Sequence, residues 1–273
     1  MPSPAPVFGR RIDSVRLVFG TMTGLALIVL VLPTLVILAT SFTSSESLQF
    51  PPQGYSLRWY RELLDADQMR QAAWNSLVLA FWTMLLSAIL GTAAALGLSA
   101  AKSRWTRAAD TLFMSPLVLP ALAFGFAALV FIYGVGLRPN MALLVLGHTV
   151  VCVPFVIRTT LAALSQVDPV LRDASRSLGA SHSRTFRKVT LPLIAKGVGA
   201  GAFLAFMSSF DNVPVSLFLA DERTEVLPIH LWQQISSNLD VRVASASGVI
   251  VLSTLVLMLL AERFLGLTRQ LGR

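Results

Sequence analysis

Asp211 stands inside a long apolar run, with Ser208, Ser209, Asn212 and Ser216 around it and Pro214 three residues on. A carboxylate at that depth of a membrane span is costly, and it usually faces a cavity or a partner. Two readings of these residues stay open. The acid and its neutral polar neighbours could line a path for a cationic or zwitterionic solute. Alternatively, Asp211 could bind neighbouring backbone or Ser208 and simply hold a kink. Pro214 has no N–H to give the carbonyl of Phe210, so the backbone is loosened there in either case.

The second polar constellation is the stretch 173–192, DASRSLGASHSRTFRKVTLP, set between two apolar runs. Asp168 followed by Pro169 can start a helix, the acid as cap and the proline at the first helical position. Val170, Ala174 and Leu178 then share one face and Arg172 and Arg176 another, with Asp173 spaced to pair with Arg176. Gly179 permits a turn. A second short helix carries Arg184, Arg187 and Lys188, with Phe186 as an apolar knob. Leu191-Pro192 favours a break before the next span. A charged, structured elbow of this kind suits docking to a cytoplasmic partner; a loop lying on the inner leaflet is the blander alternative.

Other chemistry is lacking. No Gly-x-x-x-x-Gly-Lys-Ser/Thr cradle for phosphate occurs. His148, His182 and His230 are far apart and fall at different expected depths, so no metal site is expected. No Gly-x-Ser-x-Gly elbow is present. The single Cys152 can form no internal disulfide. The chain alone is not expected to be an enzyme, and no run of basic residues suggests nucleic acid.

The elements that must position these groups are membrane spans. The chain is 55% apolar and 13% charged, with mean hydropathy +0.70, which excludes an ordinary soluble domain. Apolar blocks near the length that crosses ~30 Å of hydrocarbon fall at about 17–41, 76–100, 109–133, 140–164, 191–219 and 244–265. The expectation is an all-α, polytopic protein of six transmembrane helices, a single domain over 17–265, with tails at 1–16 and 266–273 and the elbow at 165–190. The run after Arg16 is too long for a cleaved signal and reads as a span that stays. Pro116 and Pro120 should kink span three, and Pro116, Pro120 and Pro214 are candidate hinges. Gly91, Ala93, Ala94, Ala95 and Gly97 let span two approach its neighbours closely. The longest outer loop, 43–75, carries an amphipathic stretch around Leu57, Trp59, Tyr60, Leu63 and Leu64, read as an interfacial helix with aromatic anchors or, alternatively, as a contact with an external partner. A further amphipathic run carries Leu231, Ile235 and Leu239.

With both ends inside, sixteen of the 22 Lys and Arg residues are cytoplasmic and six are outside. The positive-inside rule therefore predicts cytoplasmic N- and C-termini and an inner-face elbow. The +8 net charge is on this reading mostly a topology signal, helped by anionic lipid.

The elbow pattern resembles the EAA loop of binding-protein-dependent ABC importer permeases of the type I kind. The similarity runs from about 15 to 265. It includes Pro154-Phe-Val-Ile-Arg158, Asn75-Ser76-Leu, Pro116-x-x-x-Pro120 and Ser209-Phe-Asp211-Asn-Val, the last looking like the spermidine/putrescine branch. Departures are Asp173 for the family's Glu, Ser175 for its second Ala, and Ala121 where the polyamine branch often has an acid. The resemblance implies a permease of the bacterial inner membrane that binds no cofactor itself, ATP and Mg being held by a partner ATPase dimer. It implies a second, different permease and an external solute-binding protein. Arg172, Asp173, Ala174, Arg176, Gly179, Ala180, Phe186 and Arg187 would dock the ATPase. Ser208, Ser209, Asp211, Asn212 and Ser216 would line the path of a polyamine. An amino acid, opine or aminophosphonate is the alternative solute, and a self-contained secondary transporter the alternative class.

Overall fold

The computed structural model describes residues 8–100, 103–237 and 241–265. The parts of the two tails at 1–7 and 266–273, and with them Lys102, Leu239, Arg269 and Arg273, lie outside the described residues. The described residues are almost wholly helical and form no strand. Among the described residues, five helices are long and apolar enough to cross a membrane, and a sixth candidate is a bent pair. The chain folds as two compact units, Met1–Asp65 with Ser237–Thr254, and Ala66–Ser236 with Leu255–Arg273.

In the first unit, α1 (Phe8–Ser41) exposes apolar side chains from Leu17 to Ile37, as a lipid-facing helix can. Its C-terminal end is polar and packed. Ser41 Oγ lies 2.7 Å from the Tyr60 hydroxyl, and Ser245 Oγ donates to the Ser41 carbonyl at 3.1 Å. Ser245 belongs to α12 (Val241–Leu265), which also brings Gly248 against Tyr60, where a Cβ would stand 2.7 Å from the hydroxyl. Glu62 on α2 (Arg58–Asp65) pairs with Arg58 at 2.7 Å and Arg242 at 3.2 Å. The interfacial-anchor expectation for α2 is corrected here. Trp59 is only 5% exposed and Tyr60 is hydrogen-bonded, so both rings pack into protein, while Leu57 and Leu64 are exposed.

In the second unit, α3 (Asp67–Ala100), α6 (Met141–Ser165) and α9 (Leu191–Phe210) pack together. Small residues set the spacing. A Cβ on Gly91 would stand 2.7 Å from Val156 Cβ, and one on Gly197 2.8 Å from the Thr159 carbonyl. α3 starts nine residues before the apolar block. Asn75 and Ser76 therefore lie within the helix rather than opening it. They hold the loop after α10 (Val213–Leu219): Asn75 Nδ2 donates to the carbonyls of Arg223 and Glu225, and Ser76 Oγ accepts from the Leu227 N–H at 2.8 Å. That loop leads into α11 (Leu227–Ser237), on which Leu231 is buried and Ile235 exposed.

Span three is two helices, α4 (Arg104–Val118) and α5 (Ala121–Gly134), turned by 104° at Leu119–Pro120. Pro116 lies inside α4, so the sharp turn belongs to Pro120. Span five is likewise two pieces, α9 and α10 (Val213–Leu219). The pieces beyond the two breaks pack on each other. Gly125 of α5 approaches Pro214 and Phe218, and Phe126 meets Phe218 edge-on at 5.8 Å.

Candidate docking elbow and solute path

The elbow is built by bonds between near neighbours. Asp168 Oδ1 accepts from the Val170 N–H at 2.9 Å and caps α7 (Pro169–Ser177), with Pro169 in its first turn. Gly179 then takes φ +82°, where a side chain would be strained. Its N–H donates to the Arg176 carbonyl, and the Ala180 N–H to the Ser175 carbonyl. This pair of bonds is the Schellman arrangement that ends a helix on a left-handed residue. Ser181 Oγ accepts from the Arg184 N–H and caps α8 (His182–Thr185). Ser175, the departure from alanine, gains a bond from its hydroxyl, 3.0 Å from Thr185 Oγ1, and this ties the two helices together.

Two local expectations fail. Asp173 forms no ion pair with Arg176 among the described residues; the acid, Ala174 and Arg176 all lie exposed. The break before span five is also absent. Phe186–Thr190 widens into a π turn, and the Leu191 N–H reaches back to the Phe186 carbonyl. Helix then continues to Phe210. The widened turn shifts the hydrogen-bond register just ahead of Pro192, so the missing N–H falls in the first turn of α9 and costs no break.

The surface left free is apolar beside basic. Val170 is 64% exposed and Leu178 89%, with Ala174 between them on the same face. Arg187 and Lys188 are exposed, Arg172 and Ala180 are partly covered, and Phe186 is half-buried. An exposed apolar face on a charged loop is the form of a surface that a partner covers.

At the break in span five, α9 ends with Asp211 as its C-cap, and Asn212 begins α10, its Oδ1 accepting from the Val215 N–H at 3.0 Å. Pro214 falls in the first turn of α10 and so loses no bond there. Asp211 is exposed, and its carboxylate has no hydrogen-bond or ion-pair partner among the described residues. The alternative in which it bonds Ser208 to hold the kink is therefore not seen. Ser208 is partly buried, whereas Ser209 and Ser216 are each only 1% exposed. Both face His148 of α6, which is fully buried. Nδ1 is 3.0 Å from Ser209 Oγ, and Nε2 is 3.1 Å from Ser216 Oγ. Sequence reasoning considered His148 only as a metal ligand and passed over it. Its partners lie 61 and 68 residues away, and no local pattern announces them. Among the described residues, no group of three or more His, Cys, Asp or Glu could hold a metal.

Comparison with known proteins agrees with this architecture. Residues 89–269 match the family described as binding-protein-dependent transport system inner membrane component. The spermidine/putrescine transport system permease protein PotC of Escherichia coli is 27% identical over 233 residues, 85% of this chain and 88% of that one. The putrescine transport system permease protein PotI of the same species is 30% identical over 210 residues, 74% of each chain. A chain in the crystal structure of a bacterial ABC transporter that imports the acidic polysaccharide alginate has the same fold. Its TM-score is 0.75 at 16% identity, covering 96% of this chain and 99% of that one. The chain belongs to the binding-protein-dependent transport system inner membrane components and is a transmembrane permease subunit of an ABC importer.

Proposed function

We propose that this permease forms half of the path for a polyamine and is driven by a partner ATPase docked on the 168–190 elbow. ATP and Mg belong to that partner. A second, different permease completes the path, and an external binding protein delivers the solute. Both termini and the elbow lie in the cytoplasm, in keeping with the charge asymmetry. Val170, Ala174, Leu178 and the basic residues beside them form the docking face. Rocking of the rigid elbow then moves span five, because the π turn joins the two without a break.

The observation that carries the solute reading is the Asp211 carboxylate, exposed at the break and without a partner of its own. A cationic amine would supply that partner, and the polyamine relatives support the choice. Ala121, the first residue of α5, supports a second reading, a zwitterionic or neutral solute. Uptake of labelled spermidine by cells carrying the intact transporter separates the two. Asp211→Asn keeps size and polarity but removes the charge. Under the polyamine reading uptake falls about ten-fold or more, since bonds to charged groups are the stronger ones, while ATP-driven cycling persists. Full spermidine uptake by the Asn variant would remove the Asp211 charge from the path, and no spermidine uptake by the unsubstituted transporter would favour the second reading.

A further inference from the structure

We propose that His148 is a positioning residue for transport, bridging the broken fifth span so that Asp211 and Asn212 are held in one place. The inference rests on the solute path proposed above and adds a residue to it.

The two halves of span five have little else in common. Across the break, the Asn212 N–H reaches the Ser209 carbonyl at 3.4 Å, and the Val213 N–H reaches the Asp211 carbonyl in a three-residue turn. Neither bond fixes the direction of α10. α10 packs on α5 and α6, and His148 links it to α9 from a separate helix. One ring nitrogen meets Ser209 on the last turn of α9, and the other meets Ser216 in α10. All three side chains are buried. A neutral imidazole has one N–H to donate and one lone pair to accept, and a serine hydroxyl can play either part. Either tautomer therefore makes both bonds without a charge. The support under the ring is firm. α6 runs unbroken through Pro154, and at Gly147 a Cβ would stand 2.5 Å from Leu219 Cδ1, so α10 is seated tightly on it at this level. The neighbouring Thr149 satisfies its hydroxyl within its own helix, on the Val145 carbonyl, and holds nothing across.

Ser209 and Ser216 share no hydrogen bond with each other among the described residues, so the bridge predicts that they communicate only through His148. In the intact transporter, Ser209→Ala and Ser216→Ala should each lower spermidine uptake about three- to ten-fold, as loss of one buried bond does. In a His148→Leu background neither should lower it further. His148→Gln, which keeps a donor and an acceptor, should recover part of the loss. A second readout does not need transport. An Asp211→Cys reporter in a Cys152→Ser background should react several-fold faster with an impermeant thiol reagent when His148 is leucine, and at an unchanged rate in a Thr149→Val control. If His148→Leu does not insert, the serine pair decides, because a shared bridge makes their double replacement non-additive. Serine effects that persist undiminished without His148, simple additivity, or a reporter rate indifferent to His148 would each overturn the bridge. Absence of spermidine uptake by the unsubstituted transporter would instead count against the solute reading, and the reporter would still decide the bridge.

Discussion

At the elbow, every side-chain or backbone bond that shapes the turn joins residues ten or fewer apart. At the break in span five, the bonds that hold the pieces come from a helix 61 and 68 residues away. The elbow is thus a preformed piece of local structure offered to the outside of the molecule. The break is a local weakness made definite only by its neighbours. On the function proposed above, the elbow must push and needs internal rigidity, and the break must open and needs bonds that can be exchanged. The two regions are joined without a hinge, since helix runs from His182 to Phe210 through the π turn.

The largest expected effect comes from the left-handed turn. A Cβ on Gly179 would meet nothing within 4 Å, so space does not forbid a side chain, but φ +82° does. Gly179→Val should strain the turn by about 2 kcal/mol or more and abolish ATP-driven uptake while leaving the amount of chain in the membrane unchanged. Loss of insertion would mean that the elbow is part of the span scaffold and would erase the contrast between the two regions. Next comes Asp168→Ala, which removes the cap of α7 and costs about 1 kcal/mol. Helix content of the elbow, read by amide exchange between 168 and 178, should fall with no change at 205–219. Ser175→Ala removes one partly exposed bond and should lower uptake no more than about three-fold; a larger loss would make Ser175 a docking contact rather than a brace.

The smallest effect is a matter of pH. Asp221, in the loop held by Asn75 and Ser76, accepts a bond from the Thr224 hydroxyl at 2.7 Å and others from the N–H groups of Thr224 and Arg223. The Thr224 hydroxyl first, then those N–H groups and the Arg223 charge, hold its carboxyl below the usual 3.8. A depressed value means that the loop is stabilised above the unfolded carboxyl's pKa and loses that support as pH falls through the lower, folded value. Loop protection against proteolysis should be flat from pH 8 to 5 and fall below about pH 3.8, and Asp221→Asn should remove that acid-side dependence.

The legibility of the sequence followed the same division. Asp168 as cap, Pro169 after it and Gly179 at the turn could be read directly, because cap and turn chemistry is settled within a few residues. The apolar blocks could be read for the same reason. Other features were misread or missed. Leu191-Pro192 suggested a break that the π turn removes. Trp59 looked like an interfacial anchor until α2 was seen packed beside Ser41 and α12. His148 carried no signal, because one histidine in an apolar helix says nothing about which hydroxyls a fold brings to it. Asp211 was visible as an unusual residue, but only the structure places it on the C-cap, free of Ser208.

On the proposed function, the elbow carries the ATPase and the broken span does not. The most direct measurement puts a photoactivatable amino acid in place of Leu178, 89% exposed on the elbow, or of Leu204, 45% exposed on α9, in the intact transporter. Illumination should join the chain to the ATPase subunit from position 178 and not from position 204. Co-purification of the ATPase with no adduct from 178, or equal adducts from both positions, would contradict the account.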